Sequence, residues 1–290
     1  MRHIVLDLRT WEEFEEQLKE IRKERAEHQK KLGPRSSELL FRGQEYSCWP
    51  LSTTLERSDR EGMSIADYYL LICRVQPQVE SFTGSSWNLP QWPEIKELLG
   101  ELNHRDTQRP SYEYCLQGDV YSYMVHLRHH GFPSPLLDWT LSPYVAAFFA
   151  FRRAIESGER VSIYAFCESP EGFKTTSSDE PRVNALGPYV RTHRRHFLQQ
   201  CQYTICVVFN NGAQGWRFVA HETFFDRPTS PGLSSLQDVL WKFNIPSTER
   251  LKVLRLLNDD YNINAFSLFG SEESLMETMA LRELDLRPSD

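Results

Sequence analysis

Residues 39–43 read Leu-Leu-Phe-Arg-Gly, and this short run constrains the fold more than any other stretch. Three large apolar side chains in succession, after the turn-forming residues Leu-Gly-Pro-Arg-Ser-Ser, predict a buried strand ending on Arg42. A guanidinium there must reach water or meet an anion, because burying it unpaired costs several kcal/mol. Gly43, directly after it, is expected to let the chain turn away from a cleft. The strand therefore raises one question: whether Arg42 serves a ligand or a salt bridge.

The chain of 290 residues is long enough for a substantial core in one large domain or two small ones. A net charge of −7 argues against a protein coated by nucleic acid, although a local basic patch is compatible with it. No apolar run approaches the roughly 20 residues of a membrane span, and the N-terminus turns acidic too early for a signal peptide. The cysteines at 48, 73, 115, 167, 201 and 206 include no CxxC pair. They read as reduced thiols of a cytoplasmic protein, and since no His/Cys cluster has ligand spacing, no metal is expected.

Residues 3–8 read as a short strand. Thr10 and Glu13 form a capping box for a helix whose apolar stripe is Trp11, Phe14, Leu18 and Ile21. The charged residues 19–31 read as its solvated end. From about 62 to 130 the pattern is helical, interrupted by a loop whose Trp87 and Trp92 read as anchors. Residues 131–140 are apolar and bounded by turns. Ser142 and Pro143 then mark the N-cap and first position of a helix. Residues 160–166 and 203–211 read as strands, 168–190 as a long polar loop, and 245–263 as a capped helix; the last ten residues are expected to fray. A single α+β domain with a mixed sheet and a helical insertion explains this order.

Several polar groups stand where an apolar context should exclude them: Arg42, His129, His130, Asp138, Arg195 and Gln199. Asp138 precedes Trp139 and Thr140 just before a helix start, where it could cap that helix or pair with an arginine. Either histidine alone is more often a hydrogen-bonded packing residue than a catalyst. Together they make a kit suited to a phosphate-bearing ligand with a planar ring.

Phe41-Arg42-Gly43-Gln44 with the downstream Trp49-Pro50-Leu51, and the run RHHGFPSPLLDWTLSPYVAAFFA at 128–150, resemble the FRG domain, a bacterial and phage family. Its long motif is Gln-His-Tyr-Gly-x-Pro-(Thr/Ser)-x-Leu-Leu-Asp-Trp-Thr, followed by Ser/Asn-Pro and an Ala/Phe-rich helix. Arg128 stands where glutamine is usual and His130 where tyrosine is; His129, Gly131, Pro133, Asp138, Trp139 and Thr140 fit. A third block is met by Arg195, Gln199 and Tyr203-Thr204, with Cys201 in place of a glycine. Residues 245–269 are similar to the family's closing helix, without the usual proline after Phe269. The resemblance implies an N-terminal strand and helix at 1–33 packed on the main domain, an FRG domain at 34–270 with an insertion at about 62–128, and a tail at 271–290.

The order of the motifs also resembles ADP-ribosyltransferase folds, in which a strand ending in Arg-Gly is followed by a strand ending in Ser/Thr and an Ala-x-x-Phe helix. That resemblance implies a split sheet and NAD as cofactor. Arg42 would grip its phosphate or ribose, with Gln44 and Arg195 among the binding residues. Thr140 would sit at the nicotinamide ribose, Trp139 would stack on a ring, and Gln199 would stand near the usual catalytic glutamate. Gln199 lacks the charge that stabilises an oxocarbenium-like transition state, so Asp138 or Glu222 would have to supply it, with His129 orienting groups or exchanging protons.

Three readings follow. The first is a toxin or antiphage defence effector that transfers ADP-ribose to a protein or nucleic-acid target, or cleaves NAD as a glycohydrolase. The second is a non-catalytic module sensing a nucleotide or a partner. The third is structural, with Arg42 and Asp138 forming a buried ion pair. All three expect no membrane partner.

Overall fold

The computed structural model describes residues 2–33, 36–60, 62–90, 94, 118–174, 180–187, 190–210, 215–225 and 237–287. The expected loop residue Trp92 and most of the insertion between 91 and 117 lie outside them, as does Cys115. Eight strands form one mixed sheet: β1 (Arg2–Asp7), β2 (Leu40–Gln44), β3 (Leu137–Thr140), β4 (Arg160–Cys167), β5 (Arg182–Leu186), β6 (Cys201–Asn210), β7 (Gly215–Phe218) and β8 (Val239–Pro246). Their order is β1-β8-β4-β2-β3-β6-β5, with β7 also on β6. Among the described residues only the β1–β8 pairing is parallel.

Helix α1 (Trp11–Leu32) starts where Thr10 accepts a hydrogen bond from the Glu13 amide. Half of the expected capping box forms; the Glu13 carboxylate instead accepts from the Arg9 amide. Its buried stripe, Trp11, Phe14, Leu18 and Ile21, packs on the face of the sheet that carries Phe41, Ile163, Ala165 and Phe243. The opposite face gathers Leu40, Trp139, Tyr164, Phe166 and Leu240. Helices α2 (Ile65–Thr83) and α3 (Gly118–His129) cover β6 and β7, burying Tyr68, Ile72, Tyr123 and Val125 with Ile205, Val207 and Trp216.

Helix α4 (Pro143–Phe151) fixes the centre. Ser142 caps it by accepting from the Val145 amide, Pro143 fills its first position, and seven of its nine residues are buried. A helix apolar all round must be covered on every side. It lies against β2 and β4 beneath α7 (Arg250–Asp259). Short helices α5 (Arg194–Leu198), α6 (His221–Phe225), α8 (Ala265–Phe269) and α9 (Glu272–Ala280) complete the described fold, and no helix among the described residues is long and apolar enough to cross a membrane.

Several expectations change. The 168–190 segment is not loop throughout, because Val183 is buried and β5 pairs with β6. The C-terminal residues do not fray from 281 onward: residues 281–286 continue as a wide helical turn after α9, whose Ser274 and Thr278 are buried. Gly43 makes no turn either. It sits inside β2 paired with Ile163, and a Cβ there would lie 1.8 Å from the Ala146 carbonyl oxygen and 2.6 Å from the Ala150 amide nitrogen. Glycine is required so that α4 can rest directly on the strand.

Gly43→Ala should therefore cost at least about 3 kcal/mol, at or beyond the upper end of ordinary overpacking, because both obstructing atoms are backbone. Urea denaturation would measure it, and an unchanged midpoint would refute the close-packing account.

Candidate functional site

β2 and β3 share a single register pair, Phe41 with Thr140, whereas β2 makes five with β4 and β3 makes four with β6. Beyond that one pair the two strands part, and a cavity of about 720 Å³ is lined by residues 42–45 of β2 and its continuation and by Asp138 and Trp139 of β3. The end of α3 contributes Arg128 and His129, α4 contributes Phe149, and Arg195, Gln199, Cys201 and Phe269 close the far side. Of the residues singled out from the sequence, Arg42, Gln44, His129, Asp138, Trp139, Thr140, Arg195 and Gln199 line one cavity, whereas His130 is not among its lining residues. Glu222, the alternative carboxylate, is not among its lining residues.

Arg42 Nη1 donates to the main-chain oxygen of Asp138 at 2.9 Å, bridging the parted strands where a ladder hydrogen bond is missing. The anticipated ion pair with the Asp138 carboxylate does not form, because Arg128 takes that carboxylate. Arg128, one of the positions at which the sequence departs from the motif it resembles, is thus the residue that neutralises Asp138. Burial lowers the Arg42 pKa to about 10, opposed by the nearby Asp138 charge, so the guanidinium stays charged at neutral pH. Its Nε–H is buried with no acceptor among the described residues, and the same holds for the Nε–H groups of Arg128 and Arg195. Arg195 also lies over the Phe269 ring, 5.5 Å from its centroid. Arg57 and Arg153 add two more cations, against Glu45 and Asp138 as the carboxylates of the lining. A chain of net charge −7 has thus gathered five arginines and two acids around one cavity.

Other groups are already engaged. Gln44 Nε2 donates to the carbonyls of Trp49 and Pro50, at 2.9 and 3.2 Å, leaving its buried Oε1 without a donor. The Thr140 hydroxyl donates to the Gln199 carbonyl at 2.7 Å and accepts from the Ser142 amide, so its role is to tie β3 to the helix start. Gln199 is held between the Leu268 carbonyl, to which its Nε2 donates, and the Cys201 thiol. Trp139 is 2% exposed and its indole N–H donates to Thr204 Oγ1, with the ring against Phe166. Buried in the core beside Phe166, it offers no free ring face for stacking.

The aromatic surfaces that do border the cavity are Trp49, 46% exposed beside Tyr46, together with Phe149 and Phe269. The sequence marked Trp49 only as part of the motif run Trp49-Pro50-Leu51. Arg57, Arg128, Arg153 and Phe149 escaped it because nothing in their local pattern separates a cavity lining from a helix face. His129 Nε2 lies 2.9 Å from the Tyr203 hydroxyl, which is also 3.2 Å from His196 Nδ1. Burial lowers the His129 pKa to about 4, leaving the imidazole neutral at neutral pH.

The Arg128–Asp138 pair is partly open, with side chains 18% and 34% exposed. Arg128→Met should therefore cost about 1–3 kcal/mol, between the ~0–1 of surface pairs and the ~3–5 of breaking buried ones. Adding Asp138→Asn should recover part of that loss in a double-mutant cycle, and full additivity would contradict the pairing.

Residues 37–159 match the model of a family described as the FRG domain. No curated protein and no solved structure matches the chain. The matched segment, residues 37–159, holds both residues 41–44 and residues 128–140, so the two runs that resemble the FRG domain lie within the match and line the two sides of this cavity.

Proposed function

We propose that the cavity binds a phosphate-bearing nucleotide, with NAD as the first candidate. The observation that carries this reading is the convergence of Arg42, Arg128 and Arg195, each with a buried Nε–H that finds no acceptor among the described residues. Buried donors left unsatisfied cost about 1–3 kcal/mol apiece, and phosphate oxygens are the acceptors guanidinium forks match best. The volume of about 720 Å³ lies within the range of nucleotide-sized pockets. Trp49 and Phe149 offer faces to a base or nicotinamide ring, and Gln44 Oε1 offers an acceptor to a ribose hydroxyl.

Catalysis places further demands on the site. Cleaving the bond from nicotinamide to ribose sends the electron pair out with nicotinamide and leaves an oxocarbenium ion, which a carboxylate must face. Asp138 is the carboxylate of the family motif in the cavity, and Arg128 already balances its charge. Glu45, the other one, lies 3.5 Å from Arg153. Gln199 is neutral and held on both sides of its amide. These engagements favour a nucleotide-sensing module. An ADP-ribosyltransferase or NAD glycohydrolase, acting as a toxin or antiphage effector on a protein or nucleic-acid target, is the second reading; it rests on the order of the motifs and on Asp138.

Calorimetry with NAD and with ADP-ribose tests the binding claim, and nicotinamide release tests the chemistry. Arg195→Met should weaken binding roughly 10- to 100-fold, the loss expected for one charged hydrogen-bonding group, with the melting temperature unchanged. A folded wild type that binds neither ligand would refute the proposal. Binding without nicotinamide release selects the sensor, and release abolished by Asp138→Asn selects the enzyme.

A further inference from the structure

At the inner end of the cavity three side chains from separate elements converge: His129 from the end of α3, His196 from α5 and Cys201 at the start of β6. One ligand atom from each lies within 4.8 Å of the other two, and both His196 and Cys201 are buried. The Tyr203 hydroxyl stands among them, in contact with His129 Nε2 at 2.9 Å and His196 Nδ1 at 3.2 Å. A hydroxyl has one proton, so it donates to one ring and accepts from the other; at least one ring nitrogen therefore faces the cluster as an N–H donor. The Cys201 thiol leans on Gln199 Oε1 at 3.7 Å, a weak contact for a buried S–H.

The geometry points to a transition-metal site formed by His129, His196 and Cys201, taking a Zn²⁺-class ion. Two imidazoles and a thiolate are the donor types such an ion selects, and a solvent molecule would supply the fourth donor. Binding requires each imidazole to present a lone pair and the thiol to lose its proton, so the metal–sulfur bond forms as the proton passes to solvent. From separations of up to 4.8 Å the ligands would close by up to about 1.5 Å to reach tetrahedral edges of about 3.3–3.6 Å. His129 and Cys201 also line the cavity, so the ion would add positive charge to the end of the chamber bordered by Arg128 and Arg195. This site stands on its own geometry and does not depend on which ligand, if any, the arginines hold.

The sequence gives no hint of it, because positions 129, 196 and 201 show no ligand spacing and meet only through packing of α3 and α5 on β6. The neighbouring histidines His126 and His130, with ring centroids 4.5 Å apart, provide an internal control.

Titration of the full-length, chelator-treated protein with Co²⁺ tests the assignment. The expected result is one equivalent bound, with a thiolate-to-cobalt charge-transfer band, tetrahedral visible bands, and displacement by Zn²⁺. Cys201→Ser should lose the charge-transfer band. His196→Ala should weaken binding at least about 100-fold, while His130→Ala leaves it unchanged. A folded wild type that binds no stoichiometric Co²⁺ or Zn²⁺ overturns the site outright, whatever the variants do. Retention of the thiolate band in Cys201→Ser, or its loss in His130→Ala but not in His196→Ala, overturns the assigned ligands. Nucleotide calorimetry on the same metal-free and metal-loaded samples separates a failure of this site from a failure of the nucleotide reading.

Discussion

The structure hangs on one close approach, the backbone of α4 against Gly43 of β2. With the Ala146 carbonyl and the Ala150 amide occupying the space of a missing side chain, the helix is seated on the centre of the sheet. That seat fixes Phe41 beneath the helix and turns Arg42 to the other face, where its side chain crosses to β3. It also places the start of α4, with Ser142 and Thr140, at the point where β2 and β3 make their only register pair. The strands are joined at that pair and parted beyond it, so the same contact that consolidates the core opens the cavity.

Electrostatics then sets the character of that cavity. Arginines brought together repel one another and lose hydration, as the lowered pKa of Arg42 records. Arg128 is partly compensated by Asp138 and Arg153 by Glu45, but the Nε–H groups of Arg42, Arg128 and Arg195 remain buried without acceptors among the described residues. A fold that tolerates such unsatisfied donors sacrifices stability at that place, and an anionic ligand would recover it. The structural alternative, a buried pair of Arg42 with the Asp138 carboxylate, loses its basis because Arg128 occupies that carboxylate.

The sequence was legible where local chemistry decides the outcome. Leu40 and Phe41 are buried strand residues because nothing but a core accommodates that run, and the Thr10 and Ser142 caps follow from their hydroxyls and the spacing to the amides they satisfy. It was not legible where tertiary pairing decides. The β5 segment is framed by polar residues and becomes a strand because β6 presents an edge to it. Residue type suggested Thr140 and Trp139 as ligand contacts, yet a hydroxyl and an indole N–H show nothing in sequence of their partners; here those are Gln199, Ser142 and Thr204. Arg128 and Trp49 were passed over for the converse reason, since their importance comes only from what they face.

The central claim is that three arginine Nε–H groups await one anionic ligand, and NMR of arginine side-chain Nε–Hε resonances observes those donors directly. With signals assigned by single Arg→Lys substitutions, adding NAD should shift the resonances of Arg42, Arg128 and Arg195 together, saturating at one equivalent, as each acquires a phosphate or ribose acceptor. Shifts confined to arginines outside the cavity, or three resonances that stay fixed at saturating NAD, ADP-ribose and pyrophosphate, would contradict the account.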